Sequence, residues 1–139
     1  MAAVYTHMSD DQTEITRTVV AWVEAIRARD IDGVVAAHAD DIVMFDVPPP
    51  HDGIRGIVEY RQSWPPFFEF LATGATFELA NLDVVTGDRV AYAYALLRCG
   101  RPEFLATNPG NRLRLTLGLR KVDGRWLIAH EHHSFATTD

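Results

Sequence analysis

The densest group of chemically active side chains lies near the end of the sequence, in the run His130-Glu131-His132-His133. Three of the six histidines fall within these four residues. In an extended strand, alternate side chains point to opposite faces, so His130 and His132 share one face and Glu131 and His133 the other. A His-x-His pair can offer two metal ligands. A Glu–His pair can act in acid/base chemistry, because the carboxylate fixes the tautomer of the imidazole.

A metal centre is the less favoured of these two interpretations. A metal site needs a third ligand and supporting hydrogen bonds. Sites built on a His-x-His strand take further ligands from later strands, and here the sequence ends at Asp139. The single cysteine, Cys99, excludes a multi-cysteine zinc site and an internal disulfide. We therefore predict no metal and no other cofactor, and we expect His130 and His132 on an outer sheet face.

Helical patterns occupy the first half of the sequence. Ser9 and Gln12 fit a capping box, and apolar residues then recur at helical spacing. They are Ile15, Val19, Trp22, Val23 and Ile26. Asp30 can cap a second, short helix, and a third is predicted after Gly56. Pro65-Pro66 must kink or break that third helix, because proline lacks an N–H donor and clashes with the preceding turn.

Strand patterns dominate the second half of the sequence. The expected strands cover residues 42–46, 77–84, 90–99, 112–120 and 125–134. Between Leu79 and Leu82 the alternation slips once, which indicates a bulge. Asp123-Gly124 is a strong hairpin signal. Helices followed by antiparallel strands predict an α+β fold with the helices on one face of the sheet.

Length and composition narrow the class of protein. We expect one domain over residues 1–139, with residues 1–10 as a flexible N-terminal segment. The net charge of −6 disfavours binding to nucleic acid. No apolar run reaches the length of a membrane span, and the N-terminus lacks a signal-peptide pattern. The expectation is a soluble cytoplasmic protein with no nucleic-acid or membrane partner.

Three stretches of the sequence stand out together: Trp22 to Asp41, Asp46 to Gly56, and Asp123 to His130. They resemble the nuclear transport factor two-like superfamily, which includes ketosteroid isomerases and SnoaL-like polyketide cyclases. The resemblance implies a conical, curved antiparallel sheet wrapped around the N-terminal helices and enclosing a deep pocket. Because this fold hosts enzymes, binding proteins and dimerisation domains, it does not by itself decide the function.

Comparison with ketosteroid isomerases assigns a role to Asp46. It occupies the position of their catalytic aspartate, which moves a proton beside a carbonyl group. The position of their phenol is taken by Trp22, and no acid stands near their carboxylic-acid position, at residues 116–118. Losing one such hydrogen-bond donor costs about 3 kcal/mol, so steroid isomerisation itself is not expected. The alternative for Asp46 is a turn cap or an ion pair with Arg55 or Arg98.

The resemblance also places Glu131 and His133 on the pocket face of the last strand. His133 paired with Asp46 or Glu131 becomes a second catalytic candidate. Further candidates for substrate binding are Trp22, Tyr60, Trp64, Tyr94 and Arg98. The alternatives are core packing for Tyr60 and Trp64, and an ion pair with Glu131 or Asp46 for Arg98. His38 is interpreted as a packing residue.

These residues favour a small-molecule pocket protein, and within that class a cofactor-free isomerase, cyclase or hydratase acting on an apolar carbonyl compound. Asp46 would be the base, with Arg98, Tyr94 or His133 polarising the carbonyl. Two alternatives stay open: a non-catalytic protein that binds a hydrophobic ligand, and a dimerisation domain whose pocket is filled by its own side chains.

The second face of the sheet predicts self-association. Trp126, Ile128, His130 and His132 would lie there beside Arg112, Arg114, Thr116 and Arg120. Aromatic and arginine side chains with a polar rim are typical of interfaces. Relatives in the superfamily commonly pair through this face, so we expect a two-fold symmetric homodimer with Trp126 near the centre of the interface.

Overall fold

A computed structural model of the chain describes residues 8–137. The helices are α1 (Asp10–Arg27), α2 (Ile31–Val35), α3 (Ile57–Ser63), α4 (Pro65–Ala72) and α5 (Pro102–Thr107). The strands are β1 (His38–Phe45), β2 (Ile54–Arg55), β3 (Thr76–Thr86), β4 (Val90–Gly100), β5 (Leu113–Val122) and β6 (Arg125–Phe135). None of these helices is long and apolar enough to cross a membrane.

The strands form one curved sheet in the order β2-β1-β6-β5-β4-β3. Every neighbouring pair is antiparallel except β1 and β6, which run parallel. The α+β class and the curved sheet are confirmed, while the expectation of a purely antiparallel sheet is wrong for this pair. A parallel pair requires a long connection, and here residues 46–124 supply it.

Local sequence signals account for the helices. The Ser9 hydroxyl accepts from the backbone N–H of Gln12 at 3.1 Å, and the Gln12 side chain accepts from the Ser9 N–H at 3.0 Å, so the predicted capping box is present. Helix α1 therefore begins inside the segment expected to be flexible, of which residues 1–7 lie outside the described part of the chain. Pro65 ends α3 and starts α4, as expected. Helix α5 was not predicted, because six residues are too few to show a period.

One face of α1 meets the concave side of the sheet. Its buried residues are Ile15, Val19, Trp22, Val23 and Ile26, the set predicted from their spacing. The sheet offers Ala91, Ala93 and Ala95 of β4 to the same core. Small side chains at these positions leave room for a helix to pack closely against the strand.

Two bulges change which side chains face the core. The predicted bulge in β3 lies between Leu79 and Asn81. A second bulge, not predicted, lies in β6, where Gly118 pairs with His130 but Leu119 pairs with Ile128, so Ala129 is the extra residue. The alternation reverses there. Trp126 and Ile128 are buried at 1% and 0% exposure, so the prediction that they share the outer face with His130 is wrong.

Candidate functional site

A cavity of about 1190 Å³ opens where the ends of β1, β3, β4, β5 and β6 meet helices α4 and α5. Most of its lining is apolar and aromatic. The rings are Trp64, Phe67, Phe70, Phe77, Phe104 and Phe135. Among residues 8–137, four ionisable side chains other than Cys99 also line it: Asp46, Arg101, Glu103 and His133. The cavity thus combines an apolar interior with a few polar groups, as small-molecule sites commonly do.

The two residues predicted to be catalytic lie together on this wall. Asp46 directly follows β1, and its Oδ1 accepts the backbone N–H of Val47 at 2.7 Å. His133 stands on β6 beside it, with 3.5 Å between its Nδ1 and Asp46 Oδ1. That separation is longer than an ordinary hydrogen bond. Both groups can therefore turn a polar atom towards a molecule in the cavity.

Glu131 lies behind His133 and is fully buried. Three side chains hydrogen-bond its carboxylate. His133 donates from Nε2 to Oε1 at 2.9 Å, the Tyr60 hydroxyl donates to Oε2 at 2.6 Å, and His38 Nε2 also bonds Oε2. Trp22 Nε1 donates in turn to the Tyr60 hydroxyl at 3.0 Å. These contacts connect α1, α3, β1 and β6 in one buried network.

This arrangement changes the roles expected from the sequence. Trp22, Tyr60 and Glu131 were expected to touch a ligand, but they form the network behind the cavity wall and are not among its lining residues. Trp64 does line the cavity, and its ring lies 6.5 Å from that of His133. The polar atoms of the first three residues are thus directed at one another and not at the cavity.

The network sets the charge of its members. Burial alone would raise the pKa of Glu131, but the hydrogen bonds and positive charges of His133 and His38 outweigh it and lower this pKa to about 2. Burial alone would lower the pKa of His133, but hydrogen bonding to Glu131 and the charges of Glu131 and Asp46 raise it. Burial and the Glu131 charge keep Tyr60 a neutral phenol, with a pKa well above its ordinary value. Glu131 is thus a carboxylate that favours the imidazolium form of His133.

Tyr94 and Arg98, also predicted to line the pocket, lie on the outer face of the sheet. The alternation of β4 is as predicted, but the side that carries its alanines and Cys99 faces the interior. Tyr94 is 48% exposed, and Arg98 Nη1 lies 3.7 Å from Glu78, not near Asp46 or Glu131. The assignment of these two residues to the pocket is wrong, because the interior beside α1 accommodates only the smaller set of side chains.

Several residues of the site were missed or misjudged from the sequence, among them His38, Cys99 and Arg101. His38, interpreted as a packing residue, is buried and bonds Glu131. Cys99 lines the cavity, and burial, together with the Asp46 charge, raises the pKa of its thiol to about 11. Arg101, just beyond β4, also lines the cavity. The polar contact of His38 is made across 93 residues, and no local pattern signals it.

The four residues of the His130-Glu131-His132-His133 run are divided between the two faces, as alternation predicts. Glu131 and His133 face the interior, while His130 and His132 flank the ring of Phe45 outside at 5.2 and 5.8 Å. His130 Nδ1 hydrogen-bonds the Val43 carbonyl at 2.7 Å. Within residues 8–137, no three His, Cys, Asp or Glu side chains are arranged to hold a metal ion.

Residues 15–138 match the family model of the SnoaL-like domain. A nuclear transport factor 2-like protein of unknown function from Pseudomonas putida KT2440 is 33% identical in sequence. Its solved structure superposes with a TM-score of 0.79, and the match covers 93% of this chain and 88% of that one. No curated protein matches the sequence.

More distant solved structures share the fold. A putative ketosteroid isomerase from Shewanella frigidimarina NCIMB 400 is 18% identical, with a TM-score of 0.67 over 85% of this chain and 92% of that one. A nuclear transport factor 2-like protein with a cystatin-like fold from Novosphingobium aromaticivorans is 12% identical, with a TM-score of 0.73 over 94% and 84%. Because the family match spans nearly all of the sequence, the chain belongs to the SnoaL-like domain family of the nuclear transport factor 2-like superfamily.

Proposed function

We propose that this protein is a cofactor-free acid/base enzyme that moves a proton beside the carbonyl group of an apolar compound bound in the cavity. One observation carries the proposal. A carboxylate, Asp46, and an imidazole, His133, stand 3.5 Å apart on the wall of a mostly aromatic cavity. Membership of a superfamily that includes isomerases and cyclases agrees with this chemistry.

The proposed step gives each of these residues one role. The Asp46 carboxylate accepts a proton from the carbon next to the carbonyl, so that a C–H bond breaks and an O–H bond forms. Negative charge then develops on the carbonyl oxygen, and His133 Nδ1–H donates a hydrogen bond to it. Asp46 returns the proton to another carbon of the same molecule. The product is an isomer, and no oxidant or reductant is consumed.

Glu131 prepares His133 for this role. It holds Nε2 of the imidazole at 2.9 Å, so Nδ1 is the nitrogen left facing Asp46 and the cavity. Its charge also favours the imidazolium, the form that can stabilise an enolate most strongly. Of the three polarising groups considered from the sequence, only His133 lies on the cavity wall.

Steroid ketones are not the substrates we expect. In ketosteroid isomerases a phenol and a protonated carboxyl group both donate to the oxyanion. The phenol of Tyr60 already donates to Glu131 behind the wall, and Glu131 is ionised. His133 is therefore the donor that this site offers in their place, and isomerisation of a Δ5-steroid ketone should be feeble or absent.

A ligand-binding protein without catalysis is the second candidate function. It is favoured by the contact between Asp46 and His133, which would be a purely structural charge pair in that case. A dimerisation domain with a filled pocket has less support, because the cavity is open and Trp22 packs behind its wall.

Exchange of hydrogen for deuterium separates these candidates without knowledge of the natural substrate. A panel of cyclic and aromatic ketones is incubated with the protein in D₂O, and mass spectrometry follows deuterium uptake next to the carbonyl. We expect the native protein to accelerate uptake for at least one ketone. Asp46→Asn should lower that rate by a factor of about 10²–10⁴, because the amide cannot accept the proton.

His133→Gln should lower the same rate by roughly 10²-fold, because one donor to the oxyanion is lost. Asp40→Asn is the matched control, since Asp40 lies exposed on the same strand that leads to Asp46. Native exchange rates in Asp46→Asn would rule out Asp46 as the base. Binding of a ketone without any acceleration of exchange would favour the ligand-binding alternative.

A further inference from the structure

Arg101 is a cation on the cavity wall that the proposed proton transfer does not use. It follows the last residue of β4, and its guanidinium lies over the ring of Phe70 on α4, 5.6 Å from the ring centre. An aromatic ring in this position contacts one face of the guanidinium. The N–H groups, which lie in the plane of the guanidinium, stay free to donate. The side chain is thus oriented without its donors being consumed.

Within residues 8–137, no carboxylate lies within 4.0 Å of Arg101, and its side chain makes no hydrogen bond. Two other exposed arginines, Arg61 and Arg98, do have acidic partners. Arg98, three residues earlier on β4, pairs with Glu78, and Arg61 pairs with Asp32. Arg101 therefore has N–H donors available at the cavity, whereas Arg61 and Arg98 are paired with acids.

The other charges at the cavity do not provide a general attraction for anions. Asp46 and Glu103 line it as acids, and the charge of His133 is balanced by Glu131. The whole chain also carries a net charge of −6. Direct contact with the Arg101 guanidinium, which matches a carboxylate in geometry as well as charge, would hold an anionic group at this end of the cavity.

We infer that the ligand of this cavity is amphipathic: an apolar ring system carrying a carboxylate or similar anionic group, which Arg101 binds while the rings pack on the phenylalanines of the wall. This inference specifies the ligand class of the proposed function. It rests on that function for one point, namely which end of the ligand lies at Asp46 and His133. An anionic group beside Asp46 would be repelled. The anion therefore lies at Arg101, and the neutral carbonyl end faces Asp46 and His133.

Two dyes with the same rings test this binding mode. 8-Anilinonaphthalene-1-sulfonate carries an anionic group, and N-phenyl-1-naphthylamine is the same skeleton without it. Their dissociation constants are measured by fluorescence titration. Nuclear Overhauser contacts between dye ring protons and the methyl groups of Leu113 show whether each dye occupies the cavity. Arg101→Gln should weaken the sulfonate dye roughly tenfold and change the neutral dye by less than about twofold.

Arg98→Gln is the matched control and should change neither dye, since Arg98 points away from the cavity. Glu103→Gln should strengthen the sulfonate dye, because it removes a like charge from the same rim. Thermal unfolding of each variant shows whether it is folded. Equal weakening of both dyes by Arg101→Gln, no effect on either dye, or an equal effect of Arg98→Gln would overturn the inference. Neither dye contains a carbonyl group, so the dye titrations can be interpreted even if the deuterium-exchange experiment is negative.

Discussion

At the scale of single residues, Glu131 explains why a group of polar side chains lies buried together in this small protein. A buried carboxylate is costly unless it is paired and hydrogen-bonded. Here His133, Tyr60 and His38 satisfy both of its oxygens. Glu131 and His133 could be assigned to the interior from alternation along one strand. Tyr60 and His38 could not be assigned as their partners, because they reach Glu131 from distant parts of the sequence.

Replacing Glu131 should change the titration of His133. In Glu131→Gln the pKa of His133 should fall, because the charge that raises it is gone while the burial that lowers it remains. The titration is followed by NMR of the ¹⁵N-labelled imidazole. If exchange activity is found, its loss at high pH should move to lower pH in the variant. An unchanged His133 titration in Glu131→Gln, or an equal shift in the control Asp40→Asn, would contradict this role.

The same pair should give stability a defined dependence on pH. The pKa of Glu131 in the folded protein, about 2, lies below its ordinary value of 4.5. Its contribution to the free energy of unfolding is therefore present above pH 4.5 and lost as pH falls towards 2. Because the pKa of His133 is raised in the folded protein, His133 stabilises the fold below pH 6.5. This stabilisation is lost as pH rises through the folded pKa. Urea unfolding should therefore show the largest difference between native protein and Glu131→Gln at pH 4.5–6.5. A difference independent of pH would argue against an ionised pair.

At the scale of elements, the features predicted correctly are those with local causes. The cap of α1, the break at Pro65 and the bulge in β3 each show in a few adjacent residues. The bulge at Ala129 shows no such signal. Its partner across the sheet is Gly118, where an added Cβ would approach His130 Cβ to 3.3 Å. Because that contact involves residues of two strands, the sequence of β6 alone does not predict that its two faces exchange at Ala129.

The reversal gives Trp126 an internal role that can be measured. Its indole N–H donates to Asp11 at 3.0 Å and its backbone N–H to Glu14 at 2.9 Å, so it joins β6 to α1. Trp126→Ala should lower the free energy of unfolding by about 3–5 kcal/mol. Val58→Ala, at a 66% exposed position of α3, should cost much less. Chemical denaturation of both variants provides the comparison, and equal losses would mean that Trp126 is not a core residue.

At the scale of the whole molecule, the outer face of the sheet has no covering element within the described residues. Exposed apolar side chains extend across it: Phe45, Val85, Tyr92, Tyr94 and Leu96. Tyr92 and Tyr94 stack with their ring centres 6.3 Å apart, and Thr116 and His132 continue the row of Tyr94 on the neighbouring strands. This mixture of aromatic and polar groups is typical of interfaces. The homodimer expected from the sequence thus remains a proposal, but Trp126, being buried, is not part of its interface.

Tyr94 should contribute to that homodimer, since its ring is about half exposed on this face and stacks on Tyr92. Sedimentation at micromolar concentration should give about twice the chain mass of 15.6 kDa for the native protein. Tyr94→Asp should shift it towards the monomer, because a carboxylate would be buried there without a partner. Val58→Asp is the matched control, since Val58 is 66% exposed on α3, away from the sheet. A native monomer, or equal dissociation by both variants, would show that this face does not mediate pairing.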